Sequence, residues 1–250
     1  MKNILLLILA ISLFASCKKE EKTIEIPTAL IIGDPLDYGI HNTLIFPVGT
    51  SYRAEVYQDV KNNDLQSGNN LYFSKQNQVN FRMADKEFIN DQVKDFDIRN
   101  ILFYDLLTGK TKQLITDTLH ILSFAIHKNF SKQLILYRIV KHDINDDKKY
   151  DSLDPVMLYV SNINGDSLVQ VTPENQHYVN YNFYPKTNSI LIKTLIDSDK
   201  DKEFTNADET NFLEMKIKAP AFGKEIFSKS LKDSLKNQIK AISISINQIE

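Results

Sequence analysis

Residues Gln133–Pro173 read QLILYRIV-KHDINDDKKYDSLDP-VMLYVSNINGDSLVQVTP, and this stretch decides the fold. Gln133–Val140 and Val156–Ile163 are short runs of branched and aromatic residues, the composition that suits a pleated, half-buried surface. Between them lies a segment crowded with Asp, and after the second run comes Asn164-Gly165. That dipeptide between apolar runs is a strong hairpin signal, because both central residues of a type I′ turn need positive φ. The order is strand, acidic loop, strand, hairpin. The first three parts occur again at Ser189–Ile217: an apolar run at Ser189–Ile196, an Asp-rich loop, then a run at Phe212–Ile217. Asp143, Asn145, Asp147 and Asp154 map onto Asp197, Asp199, Asp201 and Asp208 at one constant offset of 54 residues.

Working outward, Thr43–Val48, Leu71–Phe73 and Ile101–Leu106 are further expected strands, with turn chemistry at Thr108-Gly109 and Pro185-Lys186-Thr187-Asn188. Leu102-Phe103-Tyr104-Asp105 followed by Thr108-Gly109-Lys110 parallels Leu158-Tyr159-Val160-Ser161 followed by Asn164-Gly165-Asp166. A fixed period of strand units is the signature of a propeller or a related β array. Leu102–Ile115 and Met157–Pro173 resemble the inner hairpins of TolB-like, WD-repeat-like propeller blades. The resemblance implies an all-β, propeller-like array of antiparallel blades over residues 27–250. Blades of that kind take roughly 40–50 residues, so the chain has room for about four or five.

The C-terminus has another period. Phe227, Leu231, Leu235 and Ile239 are four apart, which predicts a short helix over Ser230–Lys240, with Ser230-x-x-Asp233 as its capping box. Ile242, Ile244 and Ile246 alternate with serines, which predicts a last strand able to pair into the first blade.

Composition bounds the rest. The chain has 250 residues, 42% hydrophobic and 25% charged, with a net charge of −2. Those proportions suit a chain that folds around a core, and they give no basic field to hold nucleic acid. Seven glycines, none paired as GxG, exclude the P-loop and the dinucleotide fingerprint. Lys2 and the apolar run Ile4–Phe14 form the n- and h-regions of a signal peptide over residues 1–16, too short to span a bilayer. Phe14-Ala15-Ser16-Cys17 resembles a bacterial lipoprotein signal, in which Cys17 is lipidated and becomes the first residue of the mature chain. Cys17 is also the sole cysteine, so lipidation accounts for an otherwise unpaired thiol in an exported protein. Residues 17–26, with Lys18-Lys19-Glu20-Glu21-Lys22, read as the lipidated cysteine and a charged tether. The resemblance implies an outer-membrane location, lipid-anchored, on either its periplasmic or its surface side.

Candidate chemistry concentrates in the two acidic loops. Asp143-x-Asn145-x-Asp147, with Asp151 at position nine and Asp154 at position twelve, follows calcium-loop spacing, and Asp197-x-Asp199-x-Asp201 with Asp208 repeats it. Calcium takes six to eight hard oxygens, and alternating acidic side chains on a tight turn aim several at one centre. Lys148 and Lys202 stand at position six where an EF-hand has Gly, and strands flank the loops. The pattern is therefore no EF-hand, but it resembles the DxDxD hairpin loops of some propellers.

Gly165-Asp166-Ser167-Leu168 and Asp117-x-x-His120 look like the nucleophile and partner blocks of the GDSL hydrolases, in reversed order and with the serine in a hairpin. A turn serine is the simpler account. The five histidines (His41, His120, His127, His142 and His177) show no metal spacing. Tyr178, Tyr181 and Tyr184 read as core and rim.

The expected function is a non-catalytic binding or scaffold domain, held at the membrane by its lipid and meeting an envelope protein or glycan, with structural calcium loops. The rival expectation is an envelope hydrolase or glycan-binding accessory with a site on the open face of the array.

Overall fold

The computed structural model of the chain describes residues 30–39, 42–51, 86–89, 96–117, 119–128 and 130–247. Cys17, the signal segment, the tether and the expected strand Leu71–Phe73 lie outside the described residues. What is described is mostly β, in three antiparallel sheets with one C-terminal helix.

The first sheet holds β1 (Ile31–Ile32), β2 (Leu36–Asp37), β3 (Thr43–Ser51), β5 (Phe96–Asp105) and β6 (Thr111–Gln113). Its spine is the β3–β5 pair. The second sheet takes in β4 (Lys86–Ile89), β7 (His120–His127), β8 (Leu134–Val140), β9 (Val156–Asn162) and β10 (Val169–Gln170), in the order β10-β9-β8-β7-β4. The third is the meander β11 (Gln176–Tyr184), β12 (Ser189–Ile196), β13 (Glu209–Lys216) and β14 (Lys224–Glu225). Each of the last two sheets therefore contains a four-strand meander in sequence order, with an acidic loop joining its second and third strands.

The second sheet is buried on both faces, and the period of two sorts its side chains between two cores. On β8, Ile135, Tyr137 and Ile139 point to a cluster shared with Ile45, Ile98, Ile101 and Phe103 of the first sheet. Leu134, Leu136 and Val140 point the other way, to Ile190, Ile192, Leu213 and Met215 of the third. β9 divides likewise, Met157 and Tyr159 to one side, Val156, Leu158 and Val160 to the other. A strand buried on both faces loses the polar alternation of a half-exposed one, which is why VMLYV reads as a continuous apolar run.

Three local findings differ from expectation. The β9–β10 turn is not type I′: Gly165 has φ +75° but Asn164 lacks positive φ. Instead the Gly165 N–H donates to the Asn162 carbonyl (3.0 Å) and the Asn162 N–H to the Asp166 carbonyl (3.0 Å), a three-residue loop whose left-handed position is the glycine. Its Cβ-less surface also lets the Phe103 ring of the first sheet approach.

The helix α1 runs over Lys229–Asn247, well past Lys240. Ile242 and Ile246 extend the stripe of Leu231, Leu235 and Ile239 at helical spacing as well as they alternate with serine, and no breaker separates them from the nucleated turns. The last strand and the ring closure it was to supply are therefore not formed. The cap is Ser228 rather than Ser230: its Oγ accepts the Leu231 N–H at 3.3 Å and its carbonyl the Lys232 N–H at 3.1 Å. Lys232 and Lys236 tie α1 back to Glu225 and Glu209 on the third sheet. Among the described residues, no helix is long and apolar enough to cross a membrane.

Candidate metal centre

The acidic loops connect β8 to β9 and β12 to β13, so they emerge at the same place in two successive meanders. Six side-chain-to-backbone bonds recur at the offset of 54, and the second loop adds another, the Lys200 N–H donating to Asp197 Oδ1 at 2.7 Å. The Lys148 N–H donates to Asp143 Oδ2 (2.8 Å), and the Lys202 N–H to Asp197 Oδ2 (3.2 Å). Asn145 Oδ1 accepts from the Asp147 N–H and Asp199 Oδ1 from the Asp201 N–H. Asp147 and Asp201 accept in turn from the N–H groups of Lys149 and Glu203, each at 2.8 Å. The buried carboxylates close the motif. Asp154 accepts from Ile144 (3.0 Å) and Asp151 (3.2 Å), and Asp208 from Ser198 (2.8 Å) and Thr205 (2.9 Å).

The backbone matches too. Asp146, Lys148, Lys200 and Lys202 all have positive φ, between 62° and 70°. Those are the fourth and sixth positions of each loop, where a side chain is tolerated at some cost because Asx bonds fix the turn. One sequence-predicted ligand has a different task. Asp151 Oδ1 accepts the Leu153 N–H at 2.8 Å, and its counterpart Thr205 does the same for Ala207 with a hydroxyl at 3.1 Å. A position filled by Asp in one copy and Thr in the other is a turn brace in both.

Electrostatics separates the two copies. In the second loop, carboxylate oxygens of Asp197, Asp199 and Asp208 lie within 4.8 Å of one another; Asp201 is not in that group. In the first, Asp143 Oδ1 is buried with no hydrogen-bond partner. Asp154 is fully buried, and desolvation pushes its carboxyl up to about 6, the neighbouring charges of Asp151 and Asp143 adding to the rise. Lys202 of the second loop bridges to Asp146 of the first at 2.8 Å. The arrangement offers hard oxygen donors alone, with lone pairs remaining beyond those that accept N–H bonds. That donor set suits calcium or a similar hard cation and no soft metal.

His177 joins the two loops from the third sheet. It is fully buried, donates from Nδ1 to the Asp154 carbonyl at 2.9 Å, and packs its ring 5.1 Å from that of Phe204. Burial lowers its pKa to about 4, so it is neutral at physiological pH. Sequence reasoning treated it as one of five unremarkable histidines, and nothing in its neighbours betrays the link.

The hydrolase-like blocks do not meet. His120 stands opposite Val140, which stands opposite Val156 at the start of β9, whereas Ser167 follows the far end of β9. Ser167 is in a left-handed turn (φ +56°), Asp166 is paired with Lys112, and His120 lies between Arg99, Asp97 and the stacked ring of Tyr150. Tyr178 and Tyr181 are buried and Tyr184 is exposed, as core and rim. No family model, no curated protein and no solved structure matches this chain.

Proposed function

We propose that this chain is a lipid-anchored protein of the bacterial outer membrane. In this reading its body is a propeller-like array of four-strand blades acting as a binding or scaffold domain, without catalysis of its own. Calcium occupies the acidic loops and ties adjacent blades together. The observation that carries the reading is the duplicated loop: two blades hold the same Asp pattern, six matching side-chain-to-backbone bonds and the same left-handed positions. Cys17, with its h-region and small preceding residues, supplies the anchor, and the charged run after it supplies the spacer. The separation of Ser167 from His120 to opposite ends of the second sheet favours the non-catalytic reading over the hydrolase one.

The test is a melting curve of the purified chain in excess EDTA and in millimolar calcium. A site held at 100 times its dissociation constant contributes about 2.7 kcal/mol, and extracellular calcium modules in millimolar calcium reach less than that. A rise of several degrees is expected, with magnesium much less effective. Replacing Asp147 and Asp201 together by Asn should remove the rise. Superimposable curves would reduce both loops to self-braced acidic turns. Cys17→Ser should leave an uncleaved or soluble form; a variant fractionating with membranes like the parent after high-salt washing would refute the anchor.

A further inference from the structure

The helix α1 is tied to the third sheet at its base. Phe227, just before it, packs edge-on against Phe212 of β13 at 6.3 Å. Lys232 and Lys236 reach Glu225 and Glu209 at 3.1 and 2.5 Å. The apolar side chains beside those lysines stand in solvent: Leu231, Leu235 and Ile239 are 47%, 48% and 63% exposed. Three large apolar side chains in one row form a contiguous patch rather than scattered singles.

The shape of the row says what fits it. At about 100° per residue, positions 231, 235, 239, 242 and 246 of α1 fall within an arc of about 80°. A helix that beds onto a sheet or core shows a wider apolar face, whereas a narrow seam belongs to a coiled coil. Leu235, Ile239, Ile242 and Ile246 also follow the 4-3-4 spacing of heptad d and a positions. The flanks differ. Lys229, Lys232, Lys236 and Lys240 lie to one side of the arc, and the uncharged Ser234, Gln238, Ala241 and Ser245 to the other. A helix lying in a lipid surface carries cations all along its polar face. Here the lysine flank is spent in part on the chain's own glutamates, and the other flank has no charge to offer a headgroup.

We propose that α1 is a self-association surface, its seam covered by the same helix of a second copy in parallel orientation. A two-fold axis along parallel helices sets the lysine flank of each copy against the uncharged flank of the other, so no like charges meet. An antiparallel pair joins like flanks. Matching Leu231 to Ile246 and Leu235 to Ile242 would then place Lys236 of each copy beside Lys240 of the other, and flank charges decide orientation in such pairs. The parallel axis also sends the two third sheets to opposite sides of the seam. Four heptad positions make a short interface, so the pairing is weak in dilute solution and strengthens where copies share one surface. Where the anchor reading holds, the parallel axis brings both N-termini to one membrane.

Oxidative cross-linking tests the seam. The full chain is taken in detergent, with micelles in excess over chains and Cys17→Ser in place so that an added thiol is alone. Leu235→Cys should yield a covalent dimer, since parallel copies bring this position within disulfide reach of itself. Asn237→Cys, on the opposite face of α1, should not. Light scattering of the parent between about 1 μM and about 1 mM, a range that brackets a weak interface, should show a mass rising from one copy toward two. Ile239→Asp should hold it at one copy with an unchanged melting curve, because the site is exposed. A parent of single mass throughout, or Asn237→Cys linking as readily as Leu235→Cys, would overturn the proposal. Linking of Leu235→Cys only when mixed with Ile242→Cys would overturn the parallel arrangement. Ile239→Asp releasing the chain from anionic vesicles while leaving its mass unchanged would assign the row to lipid instead.

Discussion

Asp154 and Asp208 occupy the same position in the two acidic loops, yet replacing each by Ala should have unequal consequences at pH 7 in EDTA. Asp208→Ala removes the acceptor for the N–H groups of Ser198 and Thr205. A bond to an ionised acceptor is worth about 1.5 kcal/mol at the low end, the end appropriate where water can reach the loop, so the loss is about 3 kcal/mol. Asp154→Ala forfeits two equivalent bonds, but it also relieves a buried charge. Desolvation raises the Asp154 carboxyl from about 3.8 in the unfolded chain to about 6, so its ionised form costs the fold about 3 kcal/mol at pH 7. That cost is already net of the two backbone bonds, so Asp154→Ala relieves it and should be much less destabilising than Asp208→Ala there.

The sign in acid follows from the same shift. A folded-state pKa above the unfolded one means that protonation favours the fold, fully below about pH 3.8 and no longer once the pH has risen through about 6. At pH 4.5 the parent recovers about 2 kcal/mol from Asp154, so Asp154→Ala becomes destabilising and approaches Asp208→Ala. His177 charges in acid too, because burial depresses its pKa to about 4, and this costs stability as pH falls below about 6.5. That loss is common to parent and variants and cancels in the comparison. Urea titrations at the two pH values measure all of this. Equal losses for the two variants at pH 7, or a gap that stays constant into acid, would refute the account of Asp154.

Three further outcomes are expected. Gly165→Ala should cost about 2 kcal/mol or more in urea titration, because it combines positive φ with a Cβ placed 2.3 Å from the Phe103 ring. Tyr137→Phe should cost about 1 kcal/mol, since the Tyr137 hydroxyl meets Ser161 Oγ at 2.7 Å in a fully buried setting. Ile244→Pro should reduce the 222 nm circular dichroism signal, as a proline within α1 must; an unchanged spectrum would restore the strand expected there.

What could be read beforehand was what local chemistry determines. The acidic loops were legible because Asx turns are made by neighbours: Asp143, Asn145 and Asp147 each bond a backbone N–H within five residues. β8, β9 and β12 were legible as apolar runs. β11 was not, because Gln176, Asn180 and Asn182 interrupt it. Gln176 owes its place to a distant contact, accepting the Thr194 hydroxyl at 2.6 Å, which no window of sequence displays. The edge strands β1, β2, β10 and β14 are two residues each, too short to show any period. Ile242–Ile246 satisfied a period of two and a period of 3.6 together, and only the preceding helix decided between them.

The second sheet, clad on both sides, also sets the order in which amides should be released to solvent. Among the described residues the outer sheets each share one core with it and none with each other, so either can loosen while the other core persists. Deuterium should therefore reach β3 and β13 through partial openings, whereas β8 and β9 exchange only when the whole molecule lets go. A stack of this kind can gain or shed a repeat at its ends at the expense of one interface, while a deletion through its middle dissolves two.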